Sequence, residues 1–256
     1  MTDDRGLNQS VQKAAALLRA AADHPRGESI SGLARAAGLP RATALRLIRT
    51  LQGEGLLLRF PSSDRAGLGF ELQRLARLVD PRDAFVEGAR KPLEMLAAET
   101  RETVTLTIVE HDGGLATIVQ IDPDSVLRLA DTTGRRGDPL HATSNGKLLL
   151  ASMPAARVRS ALEGPLEQLT PRTITDPQVL ERSIDDVRRA GYAMTVDEFE
   201  LGVTSLSAGV HIRDTLVGIV AVTGPSSRLD ARTRSRAAAQ VVHAARSIAR
   251  SLATDR

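Results

Sequence analysis

The spacing Ala34…Gly38-Leu39-Pro40 limits more than anything else how this chain begins to fold. It lies between two stretches of helical periodicity. Two helices cross closely where the first presents a small side chain, and Ala34 supplies one. Four residues later the turn between them needs positive φ, which Gly38 tolerates. Pro40 has no N–H to lose at the start of the next helix.

The flanking segments agree with that turn. A helix is expected from Val11 through Ala14, Ala15, Leu18 and Ala22, with Ser10 as N-cap, broken at His24-Pro25-Arg26-Gly27. A short helix follows Ser31. A longer one runs from Arg41 to Glu54 and turns Ala44, Leu45, Ile48 and Leu51 to one face, with Gly53 and Gly55 ending it. Leu56–Phe60 and Gly67–Phe70 read as two short strands joined by PSSDRA. This is the outline of a winged helix-turn-helix, whose second helix enters the DNA major groove. Arg41 and Arg46 are placed to pair with guanine or phosphate, Thr43 to meet a phosphate or a thymine methyl, and Arg49 lies off the apolar face. Arg59 and Arg65 on the hairpin would reach backbone or minor groove. The alternative is a small helical cap with a solvated basic face.

Charge placement separates these readings. The whole chain has 34 Lys+Arg against 31 Asp+Glu, but residues 1–80 hold 12 basic and 8 acidic residues, leaving 22 and 23 for the rest. The positive excess lies entirely in the first third, which points to an anionic partner there. Because 31 of the basic residues are Arg, any single Arg carries less weight than this placement.

Glu71–Leu78 carries a helical stripe of Leu72, Leu75 and Leu78, followed by Val79 and Asp80-Pro81, with Asp80 or Arg82 near the cap of the next helix. Its apolar side serves either dimerisation or packing onto its own domain. Beyond it the pattern becomes α+β: a helix over 83–99, strands at 104–110, 115–121 and 126–130, and helices near 144–152, 155–162 and 177–190. Strands at 192–197, 205–212 and 216–223 and a last helix from Asp230 to Ala253 complete it. The expected fold is two-domain α+β. Residues 1–70 form a winged helix-turn-helix, 71–82 a linker helix and 83–256 a domain with a six-stranded, largely antiparallel sheet.

The chain has no Cys, which removes disulfides, thiolate metal sites and a cysteine nucleophile. The segment HATSNGK at 141–147 places Thr143 or Ser144 as a helix cap, and the amides of Ser144 and Asn145 at a positive dipole end suit a small carboxylate. Lys147 adds charge nearby, unless its side chain points outward. The acidic run Asp197-Glu198-Phe199-Glu200, with His141 and His211, has no compact metal-ligand spacing and reads as structural. His24, His111 and His243 carry no signal of their own. The basic, amphipathic last helix is expected to pack on the sheet, in preference to a membrane surface or a second DNA contact. A competing reading makes the second domain a hydrolase or lyase using His141 and Glu198, but no nucleophile elbow, phosphate loop or dinucleotide fingerprint accompanies them.

Several stretches, in order, resemble the IclR-type bacterial transcription regulators. They are Gly38–Thr43 with Arg46-Leu47, Pro139–Lys147, Gly191-Tyr192, Asp197–Val203, and Gly224-Pro225 before Arg228-Leu229. The resemblance spans about residues 8–254 and implies a winged helix-turn-helix, a linker helix and a GAF-like effector domain. It further implies a homodimer or homotetramer that regulates an operon, often catabolic, in response to a ligand. No cofactor, metal or membrane partner is implied, and the setting is cytoplasmic, at the nucleoid when operator-bound. By the same resemblance the effector contacts are Ser144, Asn145, Thr195, Ser205, Ala221 and Thr223. Members that bind very small oxo-acids carry an acid, a cysteine and two serines at the last four positions. Thr, Ser, Ala and Thr here favour a larger or less polar carboxylate, such as an aromatic or medium-chain acid. The five aromatic residues of the chain argue against a pocket built by ring stacking.

Overall fold

The computed structural model describes residues 8–60, 63–78, 82–110, 113–125, 130–133 and 139–253. It divides into two compact units, Met1–Asp80 and Pro81–Arg256.

In the first unit α1 (Gln9–Ala22) starts one residue before Ser10, because the Asn8 carboxamide accepts the amides of Ser10 and Val11. The helix cap is therefore Asn8. After β1 (Glu28–Ser29), the Ser29 hydroxyl caps α2 (Ile30–Ala36) through the Gly32 amide. Gly38 takes φ +64°, and the Leu39 amide closes the turn on the Ala34 carbonyl at 2.8 Å. Next comes α3 (Arg41–Gly53), then β2 (Leu57–Arg59) and β3 (Arg65–Leu68), and last α4 (Phe70–Ala76). Leu17, Leu33, Ala34, Ala44, Ile48 and Leu57 make the core. The hairpin gains a third strand the sequence does not announce: β1 pairs with β3, in the order β1-β3-β2. Two residues are too few to show alternation.

Gly69 joins the wing to α4 at a point where a Cβ would lie 2.0 Å from the Gly55 carbonyl oxygen. Its own amide donates to Leu56 O at 2.9 Å. Gly69→Ala must separate two backbones, an overpacking that costs about 2–3 kcal/mol. Urea unfolding of the full chain should show an earlier transition confined to the first unit.

The second unit opens with α5 (Arg82–Thr100), β4 (Thr103–Val109) and β5 (Leu115–Ile121). Three helices follow, α6 (Ser144–Ser152), α7 (Ala155–Ala161) and α8 (Pro177–Ala190), the last capped by the Asp176 carboxylate with Pro177 at its first position. Then come β6 (Ala193–Val196), β7 (Val203–Ile212), β8 (Thr215–Pro225) and α9 (Arg234–Ala253). The last helix begins after Asp230, whose carboxylate instead holds a turn through the amides of Arg232 and Thr233. Among the described residues the sheet has five strands, in the order β5-β4-β8-β7-β6 and antiparallel throughout. The expected sixth strand, 126–130, falls largely on residues outside those described.

Strand alternation gives the sheet two unlike faces. Val104, Leu106, Leu206, Ala208, Val220 and Val222 face α5 and α9 and form the main core with Leu93, Val241 and Ile248. Thus α9 uses its apolar side for packing. The opposite face meets α6 and α8 through Leu148, Val187, Ala193 and Ile219. Within it, register aligns Thr195, Ser205, Thr223 and Thr103 in one row across four strands. A second row holds Ser207, Ala221, Thr105 and Gln120. A sheet face this rich in hydroxyls, next to an apolar core, marks where a polar guest can be seated.

Candidate functional site

Two places carry the predicted residues. On the first unit, Arg41, Arg46 and Arg49 are exposed on α3 and Thr43 is half-buried. None of the three guanidinium groups makes an ion pair among the described residues. Arg59 is exposed on the wing, 3.4 Å from the Asp64 carboxylate. Arg65 is engaged differently: its guanidinium donates to Gly27 O at 2.8 Å and to Arg26 O, binding the loop before β1. This leaves Arg65 as a brace of the wing as well as a basic group on it.

On the second unit, one cavity of about 200 Å³ is bounded by the polar sheet face, the start of α6 and the 199–203 turn. Ser144, Asn145, Thr195, Ser205, Ala221 and Thr223 all line it. Thr103, Thr105, Thr117, Gln120 and Thr132 line its other side. These come from β4, β5 and the segment after it, positions that the carried-over set does not include. Their signal in the sequence was alternation: Thr103, Thr105 and Thr107 share a face opposite Val104 and Leu106. On this side the lining carries four threonine hydroxyls and one amide, while Phe199, Val203 and Ala221 lie across from them. Phe199 also lines the cavity, so one of the few rings does face the site.

The hydroxyls are organised. Ser205 bonds Thr223 at 2.7 Å and Ser144 at 2.9 Å; Ser207 bonds Asn145 Oδ1 at 2.8 Å; Asn145 Nδ2 donates to Thr107 Oγ1 at 3.3 Å. These bonds fix the first turn of α6 over β7 and β4. Thr143, with Ser144 following it, is the cap: its hydroxyl accepts the Gly146 amide at 3.1 Å. The amides of Ser144 and Asn145 therefore stand at the helix start with no acceptor among the described residues. Glu200 is the one acidic side chain in the described lining, and no cationic side chain joins it.

Lys147 neither lines the cavity nor points outward. Its side chain is 1% exposed, and Nζ donates to Glu198 Oε2 at 2.5 Å. Burial holds the ammonium below its ordinary pKa and the carboxyl above its own, while each partner opposes the shift. The Glu198 carbonyl accepts the Thr173 hydroxyl at 2.7 Å, and the Asp197 carboxylate accepts the Gly202 amide and the Ser226 hydroxyl. The Ser226 hydroxyl above all, with that amide and the nearby Arg172, keeps the Asp197 carboxyl below its ordinary range. The acidic run is therefore a clasp that presents Phe199 and Glu200 to the cavity. His141 Nε2 lies 2.8 Å from the Glu167 carbonyl oxygen. His141 and Glu198 are thus engaged in structural contacts, the ring with a main-chain carbonyl and the carboxylate with Lys147. Among the described residues no group of three His, Asp or Glu could hold a metal ion, and no helix is long and apolar enough to cross a membrane.

Residues 10–59 match the IclR helix-turn-helix domain and residues 82–250 match the domain described as bacterial transcriptional regulator IclR C-terminal. The glycerol operon regulatory protein of Streptomyces coelicolor is 34% identical over 97% of this chain and 98% of its own length. Among solved structures, an IclR transcriptional regulator from a Silicibacter species is 26% identical, covering 95% of this chain and 96% of that one, at a TM-score of 0.63. An IclR homolog from Microbacterium hydrocarbonoxydans, solved with 4-hydroxybenzoate, shares the fold at a TM-score of 0.62, with 23% identity over 96% of this chain and 100% of that one. The Streptomyces protein is a regulator of the glycerol operon and the Silicibacter protein a regulator of transcription. A turn built for a recognition helix, a basic first unit and a second unit of matching fold have one common explanation: the chain belongs to the IclR family of DNA-binding transcription regulators.

Proposed function

We propose that the second unit senses a small carboxylate whose binding changes how the first unit holds its operator. One observation carries this reading: Ser144, Asn145, Thr195, Ser205, Ala221 and Thr223, from four separate elements, converge on one cavity faced by two helix-start amides that have no acceptor among the described residues. A carboxylate at that helix start would accept both N–H groups with the helix dipole in its favour. The Microbacterium protein, bound to an aromatic acid, and the Streptomyces protein, a glycerol operon regulator, are consistent with a metabolite-responsive repressor of a catabolic operon. Such a protein works at the nucleoid, in the cytoplasm.

On α3, Arg41, Thr43, Arg46 and Arg49 serve as the reading surface, with Arg59 and Arg65 on the wing. Self-association is part of the proposal. Phe70 is 78% and Leu78 73% exposed, with Leu75 between them, and a second copy would cover this stripe to give a homodimer, or a homotetramer by a further contact.

A thermal-shift screen of the full protein against small carboxylates tests the sensor. An acid at 100 times its Kd adds about 2.7 kcal/mol to stability. The same acid should lower affinity for duplex DNA from the region upstream of the regulated genes in fluorescence anisotropy. A complete panel of acids that neither stabilises the protein nor alters DNA binding would overturn the reading.

A further inference from the structure

Lys147 is buried, and no other Lys or Arg among the described residues is. Methionine fills a similar space, and a buried ion pair replaced by apolar groups of like volume is often no less stable. Stability alone therefore does not account for a charge in this place. What the pair supplies, and two apolar side chains do not, is a fixed distance and direction: the 2.5 Å bond from Nζ to Glu198 Oε2.

The ends of that bond stand behind two walls of the cavity. Lys147 is in the first turn of α6, just after Ser144 and Asn145, which line it. Glu198 immediately precedes Phe199 and Glu200, which line it too. The 197–202 turn does not hold its shape unaided. Asp197 takes φ +59°, a region that residues with a side chain occupy at a cost unless their surroundings impose it. Here the Thr170 hydroxyl donates to the Asp197 carbonyl at 2.6 Å and the Thr173 hydroxyl to that of Glu198. The Gly202 amide and the Ser226 hydroxyl hold the Asp197 carboxylate. These contacts give the turn its form. The bond to Lys147 sets it against α6, whose own place over the sheet is fixed by Ser205 and Ser207.

Resting on the reading of this cavity as the effector site, we propose that Lys147 and Glu198 are positioning residues of the sensor. Their bond sets the spacing between α6 and the 197–202 turn and keeps the half-buried Phe199 ring in one place at the cavity, with no net gain in stability. A wall ordered in advance is one that a ligand need not order on binding.

Fluorine NMR of the full-length protein grown with 4-fluorophenylalanine tests this without a ligand, since the chain has four Phe residues. Phe199→Leu and Phe85→Leu assign two of the signals, and Phe85, buried in the core against α5 and α9, is the reference within the same unit. In Lys147→Met combined with Glu198→Met, the Phe199 signal should move, and split or broaden about twofold or more, as exchange on the μs–ms scale does. The Phe85 signal should stay as in the parent. The double variant should melt near the parent, well above Lys147→Met alone, which falls by roughly 10 °C. A Phe199 signal unchanged in position and width overturns the proposal. So does a Phe85 signal that changes as much, which is general loosening. A double variant that melts as low as Lys147→Met alone, or does not fold, also overturns it, because the pair then serves stability. None of these outcomes bears on whether a carboxylate binds, and a failed acid screen leaves the Phe199 signals to be read as before.

Discussion

Lys147→Met should destabilise the second unit by about 3–5 kcal/mol, because it leaves the Glu198 carboxylate buried without its cation. For a unit of this size the melting temperature drops by roughly 10 °C. The loss depends on pH with a defined sign. Burial already raises the Glu198 pKa, and without the lysine that opposes it the value rises further. A carboxyl whose folded pKa is raised contributes stability that is present below its ordinary value of 4.5 and is lost as pH rises through the folded pKa. The variant should therefore lie closest to the parent in acid and furthest from it above neutrality. Lys147→Met combined with Glu198→Met should recover most of the loss, since a buried pair replaced by apolar groups of similar volume is often neutral or better. Denaturant unfolding of the parent, both single variants and the double variant closes the cycle. Additive losses would show that the two groups do not act as a pair.

The second large effect concerns DNA. Affinity for the operator should fall by about a thousandfold or more between 50 and 200 mM salt, if 6–10 phosphates are contacted, as counterion release dictates. The basic groups free to make those contacts on α3 are Arg41, Arg46 and Arg49. Arg46→Ala should cost about 1–3 kcal/mol in operator binding without altering the melting curve. If Arg46 meets phosphate, the loss is uniform across sequences and the salt slope falls; if it reads guanine, discrimination at one base pair is relaxed. Arg65→Ala should behave unlike Arg46→Ala. Its guanidinium holds the carbonyls of Arg26 and Gly27, so its loss should lower stability as well as affinity. Anisotropy titrations at several salt concentrations, paired with thermal melts, separate the two. An Arg46→Ala protein with unchanged affinity would place the recognition surface elsewhere.

Much of this was legible in the residues themselves. The bounds 144–152 and 177–190 follow from Thr143, Asp176 and Pro177, because caps and prolines act locally and leave a local mark. What depended on distant partners was harder. Ser10 is a good cap by residue type, but Asn8, two residues earlier, is another, and its carboxamide reaches two amides. β1 has too few residues to show a period and exists because β3 offers it an edge. The fate of Lys147 could not be read locally, since its partner Glu198 lies 51 residues away and only the packing of α6 brings them together. The polar wall at Thr103, Thr105 and Thr117 was visible as alternation, but which face was core and which was cavity required the sheet order.

That alternation also bears on how such a sensor can change over time. Each strand gives every second side chain to the core and the ones between to the cavity, as Val104, Leu106 and Val222 stand against Thr103, Thr105 and Thr223. Exchanging a core residue on these strands therefore leaves the ligand-facing surface in place, whereas exchanging Ser205 or Thr223 alters both the cavity and the bonds that seat α6.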